Sequence, residues 1–269
     1  MKRTSLVLAI LLAAGLSPSI FGSTVVLGPS DAANGPIANG SASINTTSSQ
    51  AMIGAGAWQA NGTAASQYYL YANANASTER GLGQLTINDL SGLSFSTYNT
   101  TAGALPDWYL IIYTTPYVGG ESWYGNRLIL EPYVGNNLSP ASTAANQWNT
   151  FSTAAGVNQL TINDSALAGN LGFYGQPTLA NIQSGPITWS AYTAGGSSTP
   201  INYGSQNILG IVLSTGSAWA AGFTGLVDDV NINSGPGNVQ FDLEAVPEPA
   251  ALSLLAFALG VLVLIRKRK

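Results

Sequence analysis

Short apolar or alternating segments recur along most of this sequence, and Gly, Asn, Pro and Ser separate them. Between Met52 and Ala245, none keeps the i, i+3, i+4 spacing of an amphipathic helix over the ~10 residues that a helix needs. Short segments bounded by turn residues are typical of β-strands. The sequence therefore predicts an all-β body with strands at residues 68–71, 85–87, 93–98, 108–114, 127–131, 159–162, 187–192, 208–213, 226–232 and 239–243.

The strand segments fall into two kinds. Residues 226–232 alternate, with Leu226, Asp228 and Val230 on one face, which predicts a strand with one solvent-exposed face. Residues 108–113 and 208–213 are instead apolar on both faces, as expected for central strands covered on both sides. This mixture predicts a two-sheet β-sandwich with a jelly-roll-like strand order, in a domain spanning residues 51–245.

The sequence contains no cysteine, so a domain of this size rests on burial alone. The segment before it, residues 24–50, is mainly Ala, Asn, Gly, Ser and Thr. Its apolar run at residues 25–27 can add an edge strand. We expect the rest to be a flexible connection, because it has little apolar surface to bury.

Charge restricts the partners of this domain. Between residues 24 and 245 there are two cations, Arg80 and Arg127, against eleven carboxylates, a net charge of about −9. Such a surface repels nucleic acid phosphates and anionic lipid. The composition therefore predicts no nucleic acid partner and is compatible with neutral glycans or divalent cations.

The N-terminus predicts export. Lys2 and Arg3 precede an apolar stretch at residues 6–16, and small residues follow at 17–23, which is the layout of a secretory signal peptide. We assign residues 1–23 to the signal peptide and expect cleavage between Ser19 and Thr24. An uncleaved N-terminal anchor is the alternative.

The C-terminus predicts a membrane helix. Residues 250–265 are apolar except for Ser253, and as a helix they would reach about 24 Å, a little short of the ~30 Å hydrocarbon core. The basic tail that follows is held on the cytoplasmic side and can reach the headgroups if the helix is short; it comprises Arg266, Lys267, Arg268 and Lys269.

Pro247, Glu248 and Pro249, followed by this helix and the basic tail, resemble the PEP-CTERM sorting signal. The resemblance is confined to residues 246–269. It implies export, transient anchoring in the inner membrane of an exopolysaccharide-producing bacterium, and recognition of the Pro-Glu-Pro triplet by an exosortase-type enzyme. Cleavage would then release the body to the cell envelope or extracellular matrix. An ordinary single-pass anchor after a Pro-rich linker is the alternative.

Residue types needed for most catalysis are missing. The sequence has no His and no Cys, and it contains no phosphate loop, nucleophile elbow or zinc motif. Glu121 and Glu131 flank aromatic residues and Arg127, as the two acids of a glycosidase or lyase would. The same spacing fits solvated loop residues, and we predict that the protein is not an enzyme.

Two groups of residues are candidates for binding. Asp228 and Asp229 are adjacent acids, and Asp228 is predicted on a buried face, where calcium, an Arg or backbone donors must stabilise it. Trp123, Tyr124 and Trp148 lie in predicted loops, where exposed rings can stack on sugars. Most other aromatic residues are expected in the core or in cross-strand pairs.

Three functions follow from these features. The leading hypothesis is an exported, surface- or matrix-associated structural protein without catalytic activity. The second is a carbohydrate-binding module for exopolysaccharide through Trp123, Tyr124 or Trp148. The third is a glycoside hydrolase or lyase using Glu121 and Glu131.

Overall fold

The computed structural model describes residues 22–28, 42–45, 47, 50–60, 66–74, 76–100, 107–115, 124–132, 144–156, 158–164, 166–167, 177–216 and 223–244. The sorting signal and nearly all of the predicted signal peptide lie outside these residues, as do Glu121 and Trp123. Across the described ranges, no helix is both long enough and apolar enough to cross a membrane.

The described residues form twelve strands and one short α-helix. In chain order they are β1 (Ser23–Val26), β2 (Ala42–Asn45), β3 (Ala57–Ala60), β4 (Gln67–Ala72), β5 (Leu90–Tyr98), β6 (Tyr109–Thr114), β7 (Arg127–Leu130), β8 (Trp148–Ser152), β9 (Asn163–Asp164), α1 (Leu179–Gln183), β10 (Ile208–Ser214), β11 (Leu226–Ser234) and β12 (Asn238–Asp242).

Seven of these strands form sheet A, which is organised around β11. On one side β11 pairs with β5 along its length, and β8 lies outside β5. On the other side β11 pairs first with β3 and then with β12, so its neighbour changes part-way along the strand. β2 lies outside β3, and β1 pairs parallel with β12 at the edge, which confirms the predicted edge strand near residues 25–27.

The other five strands form sheet B, in the antiparallel order β4-β10-β6-β7-β9. β6 and β10 lie inside this sheet. Leu110 and Ile112 face the main core, whereas Tyr109 and Ile111 lie in a second buried cluster on the opposite face. The prediction that residues 108–113 and 208–213 are central strands covered on both sides is confirmed.

The two sheets share one hydrophobic core. Phe95 of β5 and Phe151 of β8 are fully buried, with ring centroids 5.7 Å apart. Sheet B contributes Leu110 and Ile211 to the same cluster, and Ile182 of α1 belongs to it as well. The molecule is therefore mostly β with two sheets, as the sequence predicts.

Three predicted strands are wrong. Residues 85–87 lead into a 3-10 helix at Ile87–Asp89, residues 187–192 contain another at Trp189–Ala191, and residues 159–162 make only an isolated bridge. At the first site the Asp89 carboxylate accepts hydrogen bonds from the backbone and hydroxyl of Thr86, both at 2.7 Å. This local bond replaces a strand ladder, so an apolar run with a nearby Asp forms a capped turn.

Four strands were not predicted, and one of them, β9, has only two residues and begins just after the segment predicted at residues 159–162. β3 and β8 are short and interrupted by Gln, Asn and Thr, and β2 lies in the segment expected to be a flexible connection. β2 pairs outside β3 and β8 pairs outside β5 in sheet A, whereas β3 lies between β2 and β11. Their pairing partners, rather than their own apolar pattern, explain why they form strands.

The predicted faces of β11 are also wrong at its beginning. β11 has one residue more than β5 between Asp228 and Asn231, which pair with Ser96 and Ser94, and Asp229 takes a φ of +50°. This β-bulge reverses the alternation. Val227, rather than Leu226, therefore joins Val230 and Ile232 in the core.

Candidate functional site

Asp228 lies where β11 changes its neighbour from β3 to β12. Its Oδ2 accepts hydrogen bonds from the backbone N–H groups of Met52 (3.0 Å) and Ile53 (2.9 Å), which precede β3. Its Oδ1 accepts from the N–H groups of Asp229 (2.7 Å) and Leu243 (3.1 Å), the latter just after β12. The carboxylate therefore joins three segments at the point where the ladder is interrupted.

These contacts show how the buried acid is stabilised. Asp228 is fully buried, and burial raises its pKa to about 6 although the four N–H donors act to lower it. The sequence suggested that calcium, an Arg side chain or backbone donors stabilise this carboxylate, and the structure shows backbone donors. The donors occupy the oxygen lone pairs that a calcium ion would need. In the part of the chain that the structure describes, no group of three or more His, Cys, Asp or Glu side chains can hold a metal ion.

Asp229 has a different role from Asp228. It is half-buried, and its Oδ1 accepts hydrogen bonds from the side-chain amides of Asn231 (3.0 Å) and Gln240 (2.7 Å). The Asn231 amide also donates to the Asp229 backbone carbonyl at 3.0 Å. The bulge residue thus fixes the orientation of two amide side chains on neighbouring strands.

Two other buried carboxylates also have polar but uncharged donors. Asp107 accepts from the Thr97 hydroxyl (3.0 Å), the Asn99 amide (3.1 Å) and the Trp108 N–H (2.8 Å), and burial raises its pKa to about 7. Asp164 accepts from the Tyr203 hydroxyl at 2.7 Å, and that hydroxyl accepts from the indole N–H of Trp189 at 2.7 Å. Burial raises the pKa of Asp164 as well. Both carboxylates are buried and act as internal hydrogen-bond acceptors.

The described residues include one member of the proposed pair of catalytic acids. Glu131 is half-buried just after β7, and Glu121 lies outside the described residues. The glycoside hydrolase hypothesis gains no support from the described geometry.

Two of the three predicted aromatic residues are described, and they pack on different sheets. Tyr124 packs against Tyr113 of sheet B, with ring centroids 4.8 Å apart. Trp148 of sheet A packs against Tyr98, its direct partner across β8 and β5, with centroids 5.8 Å apart. Both rings of the Tyr98–Trp148 pair are half-buried, so each keeps part of its surface accessible. Trp148 and Tyr124 therefore do not form one site.

Beside the Tyr98–Trp148 pair lies a row of uncharged polar side chains. We call it the polar row; strand register aligns its members across β1, β12, β11, β5 and β8, and they are Thr24, Gln240, Asn231, Ser94 and Ser152. They alternate with core residues such as Phe95 and Val239, which places them on the outer face of sheet A. Thr24 is exposed and the other four are half-buried.

One more hydroxyl pair lies between the polar row and the rings. Ser96 and Thr150 are direct partners on β5 and β8, and their hydroxyl oxygens are 2.8 Å apart. Ser96 is buried and Thr150 is exposed. The alternation of Ser94, Ser96 and Tyr98 in a predicted strand is the sequence signal for this face, and Tyr98 is not among the predicted glycan-binding residues.

Comparison with known proteins gives no further guide to this site. The chain matches no protein-family model, no curated protein and no solved structure.

Proposed function

We propose that this protein is an exported, surface- or matrix-associated structural protein, sorted by an exosortase-type system and without catalytic activity of its own. Its body is a β-sandwich with a jelly-roll-like strand order. The observation that carries the proposal is the Pro247-Glu248-Pro249 triplet followed by an apolar segment and four cations. The absence of His and Cys from the whole sequence supports a role without chemistry.

The fold supports this reading in two ways. Strands β3, β4, β5 and β6 alternate between sheets A and B, as successive strands do in jelly-roll sandwiches. The last strand is followed by Leu243 and Glu244, which are buried, and the triplet begins three residues later. In the sequence, the predicted recognition motif therefore follows closely on the last described residues.

The first strand bears on signal-peptide cleavage. β1 begins at Ser23, and a Cβ on Gly22 would overlap the backbone of Asn238. Cleavage on the N-terminal side of Gly22 would leave this contact and β1 complete. Within the predicted interval between Ser19 and Thr24, we therefore favour a bond before Gly22.

Intact mass spectrometry of the protein from the envelope or matrix of its host tests the proposal. We expect a mature chain that begins near residue 22 and ends near Pro249. A Glu248→Ala variant is expected to keep residues 250–269 and to stay in the membrane fraction. A released wild-type chain that still carries residues 250–269 would refute the sorting step.

A second candidate function is carbohydrate binding. The specific observation in its favour is the accessible Tyr98–Trp148 pair beside uncharged polar side chains. Trp148 is the member of the predicted glycan-binding set that this observation supports.

A further inference from the structure

The outer face of sheet A presents two kinds of surface in adjacent rows. At one end lie the half-buried rings of Tyr98 and Trp148. The Ser96–Thr150 pair lies two residues away along the same two strands, β5 and β8, and the polar row lies two residues further. At ~3.3 Å per residue along a strand and ~4.8 Å between strands, successive rows are about 7 Å apart and the polar row is about 19 Å long. This is an extended surface rather than a pocket.

The polar row carries no charged side chain, since its members are Thr, Gln, Asn and two Ser residues. The adjacent carboxylate of Asp229 accepts hydrogen bonds from Asn231 and Gln240. Because each amide nitrogen is held by Asp229, the amide oxygens of both side chains have a fixed direction. The Ser94 hydroxyl can rotate to donate or accept, and the Ser152 hydroxyl, whose oxygen accepts a hydrogen bond from the Ala154 N–H at 3.1 Å, can donate.

Fixed acceptors beside rotatable hydroxyls suit a ligand with many hydroxyl groups and no charge. Holding the amides in place before binding reduces the side-chain entropy lost on association. Aromatic rings at the end of the rows can stack on the apolar faces of sugar rings. Other partners fit less well, because a protein interface requires an apolar centre and nucleic acid or anionic lipid requires cations.

From these observations we propose that the outer face of sheet A binds a neutral polysaccharide chain, with Tyr98 and Trp148 stacking on its sugars and the polar row bonding its hydroxyls. This inference rests on the second candidate function and is independent of the sorting proposal.

Binding of the full chain, kept in mild detergent, to insoluble cellulose and to an insoluble β-1,3-glucan tests the inference, with alginate beads as an anionic polysaccharide. We expect retention on a neutral glycan that exceeds retention on alginate. Trp148→Ala is expected to weaken binding about tenfold, which corresponds to about 1.4 kcal/mol. Thr150→Arg, at an exposed position between the rings and the polar row, is expected to weaken it at least as much by blocking the surface.

Ser190→Arg is the matched control for Thr150→Arg, because Ser190 is also exposed and lies in the 3-10 helix at Trp189–Ala191. It is expected to bind like wild type. Thermal unfolding of each variant shows whether a loss of binding reflects loss of the fold, and Trp148→Phe is expected to restore most of the affinity. Wild type that binds neither neutral glycan would refute carbohydrate binding itself. Wild type that binds, with Trp148→Ala and Thr150→Arg within twofold of it, would refute this face alone.

Discussion

Asp107 and Asp228 are both buried acids with a raised pKa, but their hydrogen-bond donors differ in kind. Two donors to Asp107 are the Thr97 hydroxyl and the Asn99 amide, which can become acceptors by rotation or by an amide flip. All four donors to Asp228 are backbone N–H groups, which cannot. We therefore predict that Asp107→Asn is tolerated or stabilising and that Asp228→Asn is destabilising.

The pKa of Asp107 gives the size of the first effect. Burial raises it from 3.8 to about 7, so between these values the folded chain binds more protons than the unfolded chain. The free energy of unfolding then falls by about 1.4 kcal/mol per pH unit, or about 3 kcal/mol between pH 5 and pH 8. Asp107→Asn removes this loss. We expect it to match wild type at pH 5 and to unfold roughly 6–12 °C higher at pH 8.

Asp228→Asn is expected to lower stability, and the loss is clearest at a pH at which the Asp228 carboxyl carries no charge. The pKa of Asp228 is raised to about 6, so at pH 5 most of the carboxyl is protonated and its replacement relieves little charge burial. The amide nitrogen cannot accept hydrogen bonds from the two backbone N–H groups that it would face. Each buried N–H that loses its acceptor costs ~1–3 kcal/mol. We expect Asp228→Asn to be about 2 kcal/mol less stable than wild type at pH 5.

Urea unfolding followed by tryptophan fluorescence at pH 5, 6, 7 and 8 measures both effects. Wild type should lose stability as the pH rises, because Asp107, Asp164 and Asp228 all have raised pKa values. Asp107→Asn should show a smaller loss. The reasoning is refuted if Asp107→Asn loses as much stability as wild type between pH 5 and pH 8, or if Asp228→Asn equals wild type at pH 5.

Three further substitutions test other contacts by the same unfolding assay. Gly54→Ala should lower the free energy of unfolding by about 2 kcal/mol or more, because Gly54 has φ +63° and the new Cβ would overlap the Glu244 carboxylate. Gly81→Ala is the control, since Gly81 has φ +79° with open space around it and should lose only the ~1 kcal/mol of backbone strain. Equal losses in the two variants would contradict this reasoning. Tyr203→Phe should cost about 2–4 kcal/mol, since it removes one bond to Asp164 and orphans the Trp189 indole; a loss below ~1 kcal/mol would contradict the network. Phe151→Ala should cost ~3–5 kcal/mol and Phe151→Leu much less, whereas similar losses would argue against its place in the shared core.

The long apolar strands could be predicted because their composition leaves little choice. Residues 108–113 and 208–213 are apolar on both faces of a strand, and this pattern is typical of an interior strand covered on both sides. β2, β3 and β8 could not be found in this way. Their residues are polar at many positions, and long-range pairing with strands distant in sequence stabilises them.

The bulge in β11 shows a second limit of pattern reasoning. A single extra residue at Asp229 moves Val227 into the core in place of Leu226, and nothing in the local alternation marks it. The pair Asp228-Asp229 was the visible signal, since an acid within an apolar strand requires partners. The partners themselves come from Met52, Ile53 and Leu243, more than ten residues away in sequence, and only the fold brings them together.

The candidate site was predictable in part. Trp148 was identified as an accessible aromatic residue, but its partner Tyr98 and the polar row depend on the register of five strands. Trp148 was also expected in a loop, whereas it begins β8. Register is set by tertiary pairing, so a surface assembled from one residue per strand leaves no continuous motif in the sequence.

The distribution of charge connects these observations. Five acids are buried in the described part of the chain, namely Asp107, Asp164, Asp228, Asp242 and Glu244. The hydrogen bonds described for Asp107, Asp164 and Asp228 come from backbone, amide or hydroxyl donors. The fold thus uses acids as internal acceptors at junctions such as the one between β3 and β12, while the polar row of sheet A carries Ser, Thr, Asn and Gln. Because buried acids with raised pKa values favour folding at lower pH, the body should be most stable in mildly acidic surroundings, where the uncharged side chains of the polar row keep the same hydrogen-bonding groups.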